Sequence, residues 1–212
     1  GVLVIRGTLH TIDEISNFFA KLSRWAVLCM VLLTAEQVLS RYLFNSSSIG
    51  LQELQWHLFG VAFLFSSAYC LSRDQHVRVD IVYSRLSTRA QAWVNIFGTI
   101  CFLVPMCALL IYYGIQYTVL ALSVKSTIPP HHFSEIYLGS SHFLFPLISA
   151  CEEILRNTLL LGEISPNPGG LEARWLIKAA IPIGFALLLL QGLAYSLKHV
   201  AILLGISDKQ GT

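Results

Sequence analysis

The chain has 212 residues, 55% of them hydrophobic and only 12% charged, and its mean hydropathy is +0.65, so it has too little polar surface to coat a soluble globule. A net charge of +2, from 14 basic and 12 acidic residues, leaves no broad basic face and argues against nucleic acid as a partner. What remains is an integral membrane protein, a single all-α domain over residues 1–212 whose spans can be judged by length and charge, since a hydrocarbon core of roughly 30 Å takes about 20 helical residues to cross.

Val2 to Ile5 is too short for the apolar core of a cleavable signal peptide, and Arg6 interrupts it, so the first span is expected to act as an uncleaved signal anchor. Thr8 to Ser23 reads as an amphipathic helix along the cytoplasmic surface, with Leu9, Ile12, Ile15, Phe19 and Leu22 on one face and Asp13, Glu14, Asn17 and Lys21 elsewhere. The first span, Trp25 to Phe44, follows through Lys21 and Arg24 and contains Glu36, Gln37 and Arg41. Leu54 to Leu71 is the second, 18 residues without one Asp, Glu, Lys or Arg, and it stops abruptly at a charged run from Arg73 to Asp80.

The third, Ala92 to Val124, has 33 residues with no Asp, Glu, Lys, Arg or His, about 50 Å as a helix, and must tilt, kink or protrude. Pro105 supplies a kink, and Pro129-Pro130 ends the element. Ile136 to Leu161 starts as an apolar segment but takes in His142, Pro146, Glu152, Glu153 and Arg156, which favours an extra helix in the third, outer loop over a fifth span. Asn167-Pro168-Gly169-Gly170 is a turn. The last span, Ala179 to Leu197 within a helix of about 175–200, is flanked by Trp175 and Lys178 and by Lys198 and His199, which read as interfacial anchors.

Four spans with the N-terminus inside put nine basic residues on the cytoplasmic side against five outside, and five spans would give ten against four. Charge therefore leaves the number open but fixes the start, because Asn45 to Glu53 has no Lys or Arg while the next loop has four Arg.

The polar residues inside the spans bear on chemistry. Glu36 is the one charged side chain well inside a span; an interhelical hydrogen bond near Gln37 and Ser40 is its structural reading, and a proton or ion relay the functional one. Arg41 and Glu53 bracket the short outer loop and fit either an ion pair or, separately, snorkelling and helix-terminus complementarity. His57 invites a haem reading, with His142 the other candidate on that side, but no paired pattern supports it, and a polar contact is preferred. His131-His132 reads as a solvated loop. Cys29, Cys70, Cys101, Cys107 and Cys151 show no paired spacing and read as small hydrophobes, so neither metal nor cofactor is expected. Ala180, Gly184 and Gly192 give the last span a face for close helix contact.

Several stretches together carry a resemblance. Arg41-Tyr42-Leu43-Phe44-Asn45 closes the first span, Leu51-Gln52-Glu53-Leu54-Gln55-Trp56-His57 opens the second, and Asp74-Gln75-His76-Val77-Arg78-Val79-Asp80 follows it. Gly162-Glu163-Ile164-Ser165, Pro168-Gly169-Gly170-Leu171, Arg174-Trp175-Leu176-Ile177-Lys178 and Leu190-Gln191-Gly192 complete the set. In order and spacing these resemble the small membrane subunit, the DctQ family, of tripartite ATP-independent periplasmic (TRAP) transporters, with a departure between Val124 and Leu161 where the family passes more directly to the Gly-Gly-Leu motif.

The resemblance implies no catalysis. It implies a multi-pass protein of the bacterial inner membrane, with both termini cytoplasmic, that braces a large multispanning permease subunit of the DctM type and helps dock a periplasmic solute-binding protein of the DctP type for sodium-coupled uptake of an organic acid. Glu36, Arg41, Asn45, Glu53, Trp56, His57, His76, Arg78, Asp80, Trp175, Lys178, Gly184, Gln191 and Gly192 are the structural or interface candidates. A bundle so poor in polar groups at mid-depth suits holding another protein better than conducting solute. Two readings compete: a membrane anchor of a respiratory or quinone-linked enzyme, in which His57 would be a ligand, and an autonomous small transporter.

Overall fold

The computed structural model describes residues 2–73, 83, 85–124 and 145–204, with main chain alone at 2–6 and 145. His76, Arg78, Asp80, His131, His132, His142 and the Pro129-Pro130 stop lie outside the described residues. Among the described residues the secondary structure is helical: α1 (Val2–Phe44), α2 (Ile49–Ser72), α3 (Thr88–Gly98), a π-helical turn (Thr99–Leu103), α4 (Val104–Ser123), α5 (Phe145–Thr158) and α6 (Trp175–Leu203). Four stretches are long and apolar enough to cross a membrane: Gly7–Phe44, Ile49–Ser72, Thr88–Ser123 and Trp175–Leu203.

The break expected between a surface helix and the first span is absent. Neither Gly nor Pro interrupts Thr8 to Phe44, so α1 continues for 43 residues, about 65 Å. Its inward face also differs from the amphipathic reading. Ser16, Ala20, Ser23 and Ala26 are buried, whereas Ile15, Phe18 and Leu22 are exposed. Small residues let helix backbones approach in a bilayer, and large apolar side chains are as content against lipid as against protein. Asn45, at φ 50, takes the left-handed conformation that ends the helix. Ser48 then caps α2 by accepting from Leu51 N at 3.4 Å.

The third span is one rod with a widened turn. Pro105 has no N–H to give the carbonyl four residues back, and the π turn Thr99–Leu103 lies immediately before it. At Pro105, where a kink is expected, the helix continues into α4 directly from this π turn. What is described of the following segment, α5, has 14 residues, about 21 Å, too short to cross unaided.

At the centre stands α6, which touches α1, α2, α3, the π turn and α4. Phe65, Ala68, Ala180 and Leu187 form its buried cluster with α2, and Phe19, Val61, Leu64 and Ile177 pack around them. Close approach is set by glycines. A Cβ on Gly184 would lie 2.8 Å from Leu64 Cβ, and one on Gly114 of α4 would lie 3.1 Å from Pro182 Cδ. Gly192 meets Leu103 and Thr99 in the same way. The small-residue face of the last span is therefore spent on contacts within the chain.

Candidate functional site

Three polar constructions stand out against this apolar bundle. The largest caps the end where α2 begins and α4 ends. Glu53, in the second turn of α2, sits under the loop 161–174. Its Oε1 accepts from Ser165 Oγ at 2.5 Å and Asn167 Nδ2 at 2.8 Å, and its Oε2 accepts from Leu171 N at 2.9 Å. The loop closes on itself through Ser165 N to Leu171 O at 3.0 Å. It is pinned to α4 by Glu163 N donating to Ala121 O at 2.8 Å. Gly162 makes that approach possible: its φ is +80, and a Cβ there would fall 2.5 Å from Ala121 O.

Ion pairs complete the cap. Glu163 accepts from Lys178 and lies 3.5 Å from Arg174 Nη1. The Lys178 ammonium also lies 4.0 Å from the centre of the Tyr117 ring. Arg156 of α5 bonds Glu152 at 2.9 Å and Glu172 at 3.0 Å, and Trp175 Nε1 donates to Leu159 O at 2.9 Å. These bonds join α2, α4, α5 and α6 in one cap, within which Arg174 Nε is buried without a hydrogen-bond partner among the described residues.

Several sequence expectations are corrected here. Glu53 does not pair with Arg41; the backbone and side chains of a loop more than 110 residues later take up both its oxygens. Lys178 is not a snorkelling anchor but a buried cation, 7% exposed, because Glu163 and Tyr117 provide for its charge within the protein. Lys198, at the other end, pairs with Asp13.

That pair belongs to the second construction. Gln191 is fully buried, accepts from Ser16 Oγ at 2.9 Å and donates to Asp13 Oδ1 at 2.9 Å. Lys198 Nζ holds Asp13 Oδ2 at 3.1 Å. Together they lock the early part of α1 to α6. Nearby, Asn95 Nδ2 lies 2.7 Å from Tyr83 Oη and 2.8 Å from His199 Nε2, tying α3 to the same end.

The third lies on the outer face of α1. Glu36 is exposed and makes its bonds within its own helix, to Gln37 Nε2 at 2.9 Å and Ser40 Oγ at 2.8 Å. It is Gln37, buried, that reaches across, accepting from Ser48 N at 3.2 Å. The interhelical role expected of Glu36 thus falls to its neighbour, because one step along a helix turns a side chain by about 100°. Beside it, Arg41, Gln52, Gln55 and Trp56 line a groove of about 340 Å³ between α1 and α2. Gln55 Nε2 is buried there without a hydrogen-bond partner among the described residues, and Trp56 is 77% exposed. His57 is half-buried one turn beyond Glu53.

Ser165, Asn167, Glu163, Arg174, Glu172, Arg156, Asp13 and Ser16 build these constructions but are not among the site candidates named from the sequence. The Gly-Glu-x-Ser and Gly-Gly-Leu signatures were a signal for the first of these: both fold around Glu53.

The family model for tripartite ATP-independent periplasmic transporters, DctQ component, matches residues 30–150, more than half of the chain. The chain belongs to the DctQ family. Comparison with curated proteins gives no match. The matched stretch takes in the C-terminal third of α1, α2, the third span and the start of α5, including Glu36, Arg41, Asn45, Glu53, Trp56 and His57. The loop 161–174 and α6 lie beyond it. As a DctQ component the chain is a small permease subunit of a TRAP transporter and a multi-pass membrane protein, not an enzyme. DctQ proteins work with DctM and DctP partners in these systems.

Proposed function

We propose that this DctQ subunit is a scaffold that stiffens a large DctM-type permease in the bacterial inner membrane and presents part of the surface on which a DctP-type binding protein docks, in sodium-coupled uptake of an organic acid. The observation that carries this reading is Glu36. An exposed carboxylate on an otherwise apolar spanning helix, flanked by Leu32, Val38 and Leu39 that are also exposed, is costly against lipid and acceptable against protein. The groove lined by Arg41, Gln52 and Gln55 adds unspent polar capacity at the same end of α1. A companion permease covering this face would meet both needs.

The cap supports the docking role. By the positive-inside reading, Glu53 and the loop 161–174 face outward, and their internally satisfied bonds give a plate that keeps its shape under a soluble partner. A conduit would need charged groups facing one another at mid-depth; among the described residues the buried charged side chains, Lys178 and Glu152, belong instead to the cap.

Extraction in a mild detergent should recover the chain with a large multispanning protein. Recovery as a monomer alone, or sodium-driven uptake by vesicles holding this chain alone at the rate of the complete system, would overturn the scaffold reading.

A further inference from the structure

At the end of α1 and α2 remote from the cap, a groove of about 710 Å³ opens between the two helices. Lys21, Arg24 and Arg73 line it together with Asn17, Ser66 and Tyr69. Among the described residues none of the three cations has a carboxylate partner; Arg73 contributes only a ring contact, 5.5 Å over Tyr69. Glu14 is the single acid at the rim, and it is 70% exposed and turned to His10 at 4.0 Å. Among the described residues Lys178, buried, and Arg156, largely buried, are matched by carboxylates, whereas Lys21, Arg24 and Arg73 are exposed in the groove. Three exposed cations with no carboxylate partner among the described residues converge on one concavity, which favours an anion there.

The shape says which anion. Sharing Ser23, Arg24 and Ser66 with the polar groove, a second, apolar one of about 430 Å³ runs on along the same pair of helices, lined by Val27, Met30, Phe59 and Phe63. Trp25, 66% exposed, stands at the junction where the charged stretch of α1 gives way to the apolar one. A charged head at the boundary and a hydrocarbon trough leading from it toward mid-membrane have the proportions of one amphiphile. A free phosphate would use the first groove and leave the second without purpose.

We propose that this paired groove is a binding site for an anionic phospholipid, its phosphate held by Lys21, Arg24 and Arg73 and one acyl chain laid between α1 and α2 against Val27, Met30, Phe59 and Phe63. Tyr69 and Asn17 add hydroxyl and amide donors for the phosphate and glycerol oxygens. The site requires only that these helices span a bilayer and is independent of the scaffold role. Its effect is to join α1 and α2 where Ser23 Oγ, bonded to Ala62 O at 2.7 Å, is the direct polar link.

The test titrates the full-length chain, purified in a neutral detergent, with phosphatidylglycerol or phosphatidylcholine and counts retained lipid by native mass spectrometry. One phosphatidylglycerol should be retained at a concentration about tenfold or more below that for phosphatidylcholine, since each cation beside an anionic headgroup is worth roughly a fivefold preference. The triple variant Lys21→Gln, Arg24→Gln, Arg73→Gln should lose that preference, and Arg89→Gln, in the first turn of α3, should keep it. Equal retention of the two lipids, or a preference that survives the triple variant, overturns the proposal. A photoreactive phosphatidylglycerol applied to the unaltered chain should mark Asn17–Arg24 and Ser66–Arg73, and labelling confined to other segments overturns the site whatever the variants do. Displacement of the lipid by glycerol 3-phosphate at matching concentration would make it a free-phosphate site, and exclusion of lipid from the chain purified with its permease would give the surface to protein; either result sinks the lipid assignment.

Discussion

Ser165 Oγ donates to Glu53 Oε1 at 2.5 Å across a sequence separation of 112, and this one bond joins the second turn of the second span to the loop that launches the last. Asn167 and the Leu171 amide complete the carboxylate's coordination, so α2 and α6 are registered by a polar contact as well as by the packing of Gly184 on Leu64.

Glu53→Ala should therefore do more than remove a charge. Ser165, Asn167 and the Leu171 N–H would all lose their acceptor, each worth about 1–3 kcal/mol where water cannot replace it, and partial access of water at this end places the total near the low end of that sum. The expected outcome is faster amide exchange and easier proteolysis within 161–174, with α1 and α2 unaffected. Glu53→Gln keeps one acceptor oxygen and should show a smaller effect. Unaltered protection of the loop in the alanine variant would show that the loop holds itself.

Gly162→Ala addresses the same cap from the backbone. At φ +80 any side chain is strained, and here the added carbon would also sit 2.5 Å from the Ala121 carbonyl oxygen. Loss of about 2 kcal/mol or more is expected, read as a lower melting temperature of the purified protein. Gly169→Ala is the instructive contrast, since it shares a positive φ of 74 but has open space around it and should cost about 1 kcal/mol.

Gln191→Leu tests the lock at the opposite end. The leucine fills the space, but Ser16 loses its acceptor and Asp13 loses one of its two donors, at a cost of about 1–3 kcal/mol. Asp13→Asn in the same background should add little if the three residues act as one network, and a double-mutant cycle measures this directly. Strict additivity would mean that Gln191 and Asp13 contribute separately.

What the sequence made legible follows from what sequence patterns encode. Leu54 to Leu71 became Ile49–Ser72, and Ala92 to Val124 became Thr88–Ser123, because an unbroken apolar run is a statement about the solvent around a helix. Pro105 announced the irregularity that the π turn provides. Pairing was another matter. Lys178 lies beside a Trp at the edge of a span, the usual mark of an interfacial anchor, and only the fold brings Glu163 and Tyr117 to it. In α1 the apolar periodicity marked Ile15 and Leu22 as one face of a surface helix, and the fold leaves both exposed. In a bilayer it is Ser16, Ala20, Ser23 and Ala26 that turn inward, since lipid rewards no apolar residue for hiding.

Glu36 separates stability of the chain from assembly with a partner. Its bonds to Gln37 and Ser40 are local and exposed, so Glu36→Leu should leave the melting temperature of the isolated chain unchanged or slightly raised. If a permease covers this face, the same substitution should lower the yield of the co-purified pair, whereas Glu36→Gln, which keeps the shape and a hydrogen-bonding end, should largely preserve both the pair and sodium-dependent uptake. A normal yield of the pair with Glu36→Leu would place the carboxylate away from the interface. A changed sodium stoichiometry with Glu36→Gln would instead make it part of ion coupling, because a passive contact can alter how much complex forms but not how many ions accompany each turnover.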